Sequence, residues 1–592
     1  MNTKKLHTLL EMLGGTYLCL QQLGRSPIEV LSSHGSSTKD TSFVLQVQKS
    51  LEQISSFMKG GDKLEISNDS VQFFWEHKDS EIVVVIEKSD VKIRHSFSVD
   101  GYQQSQKIQN YIPPEKTSQE TVTNQRYSDQ NNRQQSEKSI VKNEKRSTSF
   151  VHLSPRFCSA FQVCAPYVGG AMAGGIASVS LVSAMSGIDV LSFFGSGGLS
   201  LTEIEDALLQ LSKLHGVWGV NLLHSPYEPQ LEEDIIDLYC RYDVKIISAS
   251  AFMRLTPALI RYRILGISEK DGVIHTSHRI FAKISHPSVA KHFLEPPPEK
   301  EIQNLLQQNK ITQEQAILAR QIPMCDAITF EGDSGGHTDR RNPFAIFPVI
   351  KSLVETSQKK YQHPIFLGLA GGIGEPQSFL AALNFGADYV LLGSIHQSTI
   401  EAGTSTVVKE MLCQAQIDHF AYGISPDMFE QGALVQVVKQ GTMYAQRSQT
   451  LRTIYLHNDS LQNMSEKERN QVEKILGKSI EDVWNETVVY WSKRDPKFLE
   501  KAERDDKFKM ALVFRWYLGL SSRWAKTGLS ERKKDFQIWS GPALGTFNHW
   551  VKGSPLEHPK SRSVVRVVFA ILEGVVALQL QENPDLLSES GS

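Results

Sequence analysis

The chain has 592 residues, 40% of them apolar and 22% charged, a globular balance with length enough for about three or four domains. Its net charge of -2 offers no basic field to hold nucleic acid. Six cysteines without a CxxC pair argue against a structural zinc site and a secreted disulfide scaffold, and point to the reducing cytoplasm.

The opening "MNTKKLHTLLEMLGGTYLCLQQL" carries Glu11 and a Gln pair inside its apolar part, so no signal peptide is expected. Residues 1–100 read as a small α+β module: helix-like segments at 5–22 and 43–59, and period-2 runs such as "VQFFWEH" and "EIVVVIE". Residues 101–150, rich in Gln, Ser and Asn, bury too little apolar surface to offset chain entropy and are predicted to be a flexible linker.

From Phe161 the pattern changes to short apolar runs separated by helix-length segments. "VCAPYV", "VLSFFG", "GVWGVNLL", "KIISAS", "IFAKIS", "AITFEG", "IFLGLAGG" and "YVLLGS" predict eight strands, and with them a (β/α)8 TIM barrel over 151–415. A doubly wound sheet is the alternative, but it more often has five or six strands and an early glycine fingerprint. After about Ser405 helix signals dominate, with capping pairs Ser465/Glu468 and Ser479/Asp482, and 416–592 are predicted to form a helical subdomain capping the barrel. The apolar run "VVRVVFAILEGVVALQL" is interrupted by Arg566 and Glu573, which predicts a buried helix rather than a membrane span.

Barrel active sites lie at the C-terminal ends of the strands, so residues after each run have the first claim on function. "GLAGGIG" puts Gly371, Gly372 and Gly374 after the seventh strand, and "LLGS" puts Gly393 and Ser394 after the eighth, where backbone amides and a nearby helix N-terminus can hold a phosphate. Gly169, Gly170, Ala171 and Ala173 leave room for a flat ring, Asn221 supplies donors and an acceptor, and Lys283 can reach into the barrel mouth. In "EGDSGGHTD", the glycines beside His337 imply a ligand near the backbone. Asp333 and Asp339 either orient that histidine or cap a turn. His396 is expected to hydrogen-bond structure, and Trp539, Phe547 and Trp550 to pack around Gly541-Pro542. No His/Cys/Asp/Glu set has metal-ligand spacing, so no metal is expected.

Taken together, "PYVGGAMAGGIAS", "WGVNLLHSPYEP", "EGDSGGHTD", "GLAGGIGEP", "LLGSIHQSTIEAGTS", "KMALVFRWYLGLSSRWAKTG" and "QIWSGPALGTFNHWV" resemble the PfaD-type proteins, the trans-acting enoyl reductases of polyunsaturated fatty acid and trans-acyltransferase polyketide synthases. The resemblance runs from about Phe161 to Glu582, and the wider class includes enoyl-carrier reductases of the FabK type and nitronate monooxygenases. It implies one FMN at the barrel mouth, with NADPH or NADH as reductant and an enoyl thioester on an acyl carrier protein as substrate. It further implies that Gly371, Gly372, Gly393 and Ser394 hold the phosphate, that Asn221 and Lys283 contact the flavin, and that Gly170, Met172 and Ala173 pass along its ring. Ser334, Gly335 and Gly336 complete the cofactor site, with the amides of the two glycines near the oxyanion, and His337 is the catalytic residue. A nitronate monooxygenase-like flavin oxidase and a synthase assembly factor remain the alternative functions. Neither nucleic acid nor membrane is an expected partner.

Overall fold

The computed structural model describes residues 63–66, 70–77, 80–87 and 150–582, apart from Tyr227 and His337. Its contacts divide the chain into two units, 1–146 and 147–592. In the first unit, β1 (Lys63–Ile66), β2 (Ser70–His77) and β3 (Ser80–Glu87) form an antiparallel sheet in chain order. The predicted helices at 5–22 and 43–59 and the linker lie outside the described residues.

The second unit is built on eight parallel strands: β4 (Tyr167–Gly169), β5 (Phe193–Phe194), β6 (Gly219–Leu223), β7 (Ile246–Ser250), β10 (Arg279–Ile284), β11 (Ala327–Glu331), β12 (Phe366–Ala370) and β13 (Tyr389–Leu392). Each pairs with its neighbour in chain order, β13 pairs with β4, and a parallel bridge between Gly169 and Ser192 joins β4 to the start of β5. All eight coincide with the predicted runs to within one residue. Strands buried on both faces read as continuous apolar runs, which is why this pattern survives in the sequence. Between β7 and β10 the chain inserts a hairpin, β8 (Ile267–Lys270) and β9 (Val273–Thr276).

The two ends of the barrel differ. At the N-terminal end the helix Pro155–Phe161 inserts Phe157 and Phe161 among the first residues of the strands. The Phe157 ring stacks 4.7 Å from Tyr389, and Phe161 lies 4.9 Å from Phe281. This apolar plug fills the bottom of the barrel and leaves the other end for chemistry. Beside it, the fully buried Arg263 donates to Asp326 Oδ2 at 2.7 Å and to the carbonyls of His278 and Pro323. Asp326 Oδ2 also accepts from Ile280 N, so one ion pair ties the helix Pro257–Leu265 to the starts of β10 and β11.

The region after the barrel is largely helical, as expected, and adds one hairpin that the sequence did not mark. β14 (Phe420–Ile424) and β15 (Leu434–Val438) form an antiparallel hairpin, and Val437 makes a further bridge to Trp539. The helices that follow begin as predicted. Ser465 and Glu468 form a complete capping box, and the Ser479 hydroxyl accepts from Asp482 N. Among the described residues, Val564–Gln581 is the one stretch long and apolar enough to cross a membrane. Within it Val567, Val568, Ile571, Leu572 and Val575 are fully buried, with Gly574 packed against Pro376 of the barrel helix Pro376–Asn384.

Candidate functional site

The barrel mouth gathers the predicted residues from distant parts of the chain. Gly170, Met172 and Ala173 follow β4, Ser334 to Gly336 follow β11, Gly371 and Gly372 follow β12, and Gly393 and Ser394 follow β13. Lys283 is the fifth of six residues in β10, and Asn221 sits inside β6 rather than at its end. His337 lies outside the described residues.

Three of these side chains form one unit. Lys283 Nζ lies 2.7 Å from Glu331 Oε2, while Glu331 Oε1 accepts from Ser334 Oγ at 2.7 Å. Ser334 Oγ in turn accepts from Gly336 N at 3.1 Å. The lysine is therefore held by a carboxylate only 7% exposed, and the loop after β11 is locked to its own strand. Glu331 is the partner of Lys283 that sequence reading missed. Its only signal was its position as the last residue of a strand. The Gly336 amide is engaged within the chain, which corrects the expectation that it faces an oxyanion.

Asn221 is fixed just as firmly. Its Nδ2 donates to Ser248 O at 2.9 Å and Ser250 Oγ at 3.0 Å, and its carbonyl accepts from Tyr239 OH at 2.6 Å and from Ser196 Oγ. Both amide protons go to β7, so the side-chain oxygen is what Asn221 can present to a ligand.

The glycines divide into those explained by the chain and those that are not. A Cβ at Gly170 would lie 2.7 Å from Leu391 Cδ2, one at Gly335 3.1 Å from Ser540 N, and one at Gly374 2.0 Å from Ala543 O. At Gly374 the backbone of Ala543 leaves no space for a side chain, while at Gly170 and Gly335 the space behind the backbone is tight. Gly371 and Gly372 adopt φ of +88° and +77°, a left-handed turn that favours glycine. In front of Gly372 and Gly393, however, a Cβ would meet no atom within 4 Å. These two define an open cradle between the loops after β12 and β13, bordered by Ser394 at the start of a short 3-10 helix. The cradle fits a phosphate-bearing group. The N-terminus of Pro376–Asn384 is already capped by Glu375, whose carboxylate accepts from Gln377 N and Ser378 N at 2.7 Å, so its dipole does not serve as the expected anion site.

The C-terminal region closes over this mouth. Asp333 Oδ2 accepts from Gln436 Nε2 at 2.8 Å and from Tyr422 OH, both on the β14–β15 hairpin. Burial, and then the Asp333 carboxylate, raise the Tyr422 hydroxyl above its ordinary pKa, which keeps it a donor. Asp333 Oδ1, Gln436 Oε1 and Ser540 Oγ are buried without a partner, a polar cluster behind the loop. Asp339 instead accepts from Ser285 Oγ at 2.9 Å. The two aspartates are thus separated: one fastens the loop to the cap, the other fastens it to β10.

His396 is structural, as expected. It is fully buried, its Nε2 lies 2.6 Å from Tyr167 OH, and burial pushes its pKa down to about 3. Phe547 is buried beneath the Arg562 guanidinium, 5.1 Å from the ring centroid, in keeping with a packing role.

Comparison with known proteins adds four findings. The family described as the inserted helical domain of [acyl-carrier-protein] S-malonyltransferase matches residues 458–536. The polyketide biosynthesis protein PksE of Bacillus subtilis is 43% identical over 418 residues, covering 69% of this chain and 54% of that protein. A component of the polyunsaturated fatty acid synthase of a Thraustochytrium species is 39% identical over 436 residues, covering 72% of this chain and 29% of that protein. The chain thus spans about half the length of PksE and less of the synthase component. The crystal structure of the enoyl reductase domain of MlnA, from the macrolactin cluster of Bacillus amyloliquefaciens, is 35% identical with a TM-score of 0.70, covering 74% of this chain and 100% of that domain. With the whole of that domain matched at this identity, the chain belongs to the PfaD-type enoyl reductase family of polyketide and polyunsaturated fatty acid synthases.

Proposed function

We propose that this chain is an FMN-dependent enoyl reductase acting in trans on α,β-unsaturated acyl thioesters borne by carrier domains, with NADPH or NADH as reductant. The observation that carries this reading is the open cradle at Gly372 and Gly393, in a barrel that overlays an entire enoyl reductase domain.

The chain's own groups would act as follows. Backbone amides around Gly371, Gly372, Gly393 and Ser394 hold the phosphate. Met172 and Ala173 lie along the ring, the Asn221 side-chain oxygen accepts from it, and Lys283 sets a positive charge near its electron-rich edge. Bound FMN would supply the hydride relay between nicotinamide and the thioester β-carbon, chemistry that belongs to the cofactor. Negative charge then develops on the thioester oxygen and α-carbon. His337, assigned by the family resemblance, would polarise that carbonyl or deliver the α-proton, a contribution of roughly 10²–10⁴ in rate. The anchored Glu331–Ser334–Gly336 segment holds the approach to this histidine in place.

The test is anaerobic reduction of the purified protein by NADPH, followed by a crotonyl thioester of pantetheine. Bleaching of the flavin, then reoxidation with butyryl product, is expected. His337→Ala should retain its flavin and lose most turnover. Absence of reoxidation by the enoyl thioester would overturn the reading.

A further inference from the structure

The loop after β11, which carries His337, is anchored from two sides. The barrel holds its two ends: Ser334 Oγ donates to Glu331 Oε1 at 2.7 Å, and Asp339 Oδ2 accepts from Ser285 Oγ at 2.9 Å. The region after the barrel holds its middle. Tyr422 on β14 and Gln436 on β15 stand directly opposite each other in the hairpin register, so both side chains leave the same face of the ribbon. The Tyr422 hydroxyl and, at 2.8 Å, Gln436 Nε2 donate to one oxygen of the loop, Asp333 Oδ2. The Arg340 guanidinium lies over the Tyr422 ring, 5.2 Å from its centroid. One tyrosine of the hairpin thus touches the loop on both flanks of His337.

A second segment of the same region presses on the loop. Ile538 O accepts from Val438 N at 3.0 Å, and Ser540 N donates to Gln436 O at 3.2 Å, so residues 538–540 run alongside β15. A Cβ at Gly335 would lie 3.1 Å from Ser540 N, which shows how closely the loop is backed there. On its other side the loop meets the cradle: a Cβ at Gly371 would lie 3.0 Å from Gly332 O and 3.1 Å from Asp333 O. Asp333 therefore has its backbone against the cradle loop and its side chain in the hairpin. The eight barrel strands pair without any residue after Leu392, so these contacts fix the loop rather than the sheet.

We propose that Asp333, Tyr422 and Gln436 are positioning residues of the reaction, a latch by which the hairpin β14–β15 sets the place of His337 against the thioester carbonyl. The proposal rests on the enoyl reductase reading, with His337 as the group that polarises the carbonyl or delivers the proton. Such help requires hydrogen-bond reach, and a loop with two glycines directly before the histidine does not hold a position by its own backbone preference. His337 acts on the thioester and not on the nicotinamide, so the latch bears on one half of the reaction only.

The test measures the two half-reactions separately by anaerobic stopped flow, using the full chain with its flavin, NADPH and crotonyl-pantetheine. Tyr422→Phe keeps the ring under Arg340 and removes the donor, while Asp333→Ala removes the acceptor. Each should slow reoxidation by the thioester about ten- to hundredfold. Flavin content and the rate of reduction by NADPH should stay unchanged. The double variant should be no slower than Asp333→Ala, because hydroxyl and carboxylate act as one unit. Asp333→Asn, whose amide oxygen can accept both hydrogen bonds, should recover most of the rate. Tyr422 is 37% exposed, so its variant decides the point even if Asp333→Ala fails to fold. Equal slowing of both half-reactions, additive losses in the double variant, or wild-type reoxidation in Tyr422→Phe would overturn the latch and leave the reductase reading standing. A wild type whose reduced flavin is not reoxidised by the enoyl thioester overturns that reading, and the latch with it.

Discussion

At the scale of single residues, the glycine-rich mouth contains one position where a ligand effect separates from a folding effect. Gly393 has φ of -124°, outside the left-handed region that requires glycine, and a Cβ there meets no atom within 4 Å. Gly393→Val should therefore change folding stability by no more than about 0.5 kcal/mol. If the amides at this point hold a phosphate, the branched side chain blocks them. Loss of one hydrogen bond to a charged group, about 1.5–3 kcal/mol, weakens cofactor affinity about ten- to hundredfold. Flavin content after desalting and the urea midpoint measure both sides; full flavin content in the folded variant would remove Gly393 from the cradle. The sequence made this position legible because two glycine clusters end adjacent strands. It could not show that Gly374 is glycine for packing, because its neighbour Ala543 is remote in the chain. Tyr422 and Gln436 were illegible for the same reason: their partner Asp333 lies about ninety to one hundred residues away, and nothing local marks them.

At the scale of elements, the barrel separates stability from chemistry, and the Arg263–Asp326 pair belongs to the stable end. Burial alone would raise the Asp326 carboxyl, but Arg263, a 3.2 Å contact with His363 and the Ile280 amide hold it well below the usual range. A carboxylate whose folded pKa is depressed contributes stability above its unfolded pKa, about 3.9, and loses that contribution as the pH falls below it. Asp326→Asn leaves Arg263 buried without its counter-charge and should cost about 3–5 kcal/mol at pH 7. The deficit should shrink on acidification below about pH 4, where the carboxylate of the unfolded wild type takes up its proton while the folded one is still charged. Urea unfolding of both proteins across that range checks the sign. A deficit that stays constant would mean that the pair contributes through shape and not through charge. The eight barrel strands were legible as apolar runs, and the helix starts as Ser/Glu and Ser/Asp pairs. The two hairpins were not. β8–β9 did carry a local signal, Asp271-Gly272 with φ of +54° and +75° at both turn positions, but its strands are four residues long and mostly exposed, so no apolar alternation marks them. β14–β15 has alternation too short to stand out from the surrounding helix signals.

At the scale of the molecule, every described site residue, the plug at the bottom and the cap over the mouth fall within the unit that spans 147–592. That unit begins where its core begins. Phe150 is 1% exposed, its amide donates to Cys164 O at 2.9 Å, and its ring lies 6.3 Å from Phe569 near the other end of the unit. A chain starting at residue 147 keeps these contacts, whereas one starting at residue 155 loses Phe150 and the turn Val151–Leu153. We expect the 147–592 fragment to fold, bind flavin and reduce crotonyl-pantetheine with kcat/KM within about twofold of the full chain, because no residue of the proposed chemistry is removed. The 155–592 fragment should lose about 3–5 kcal/mol, the range for deleting a buried phenylalanine side chain. Thermal unfolding and single-turnover reduction of the three proteins separate the cases. If 147–592 folds but fails to turn over the free thioester, then residues 1–146 take part in the reaction itself. If it folds and turns over normally, any contribution of those residues lies outside the chemical step.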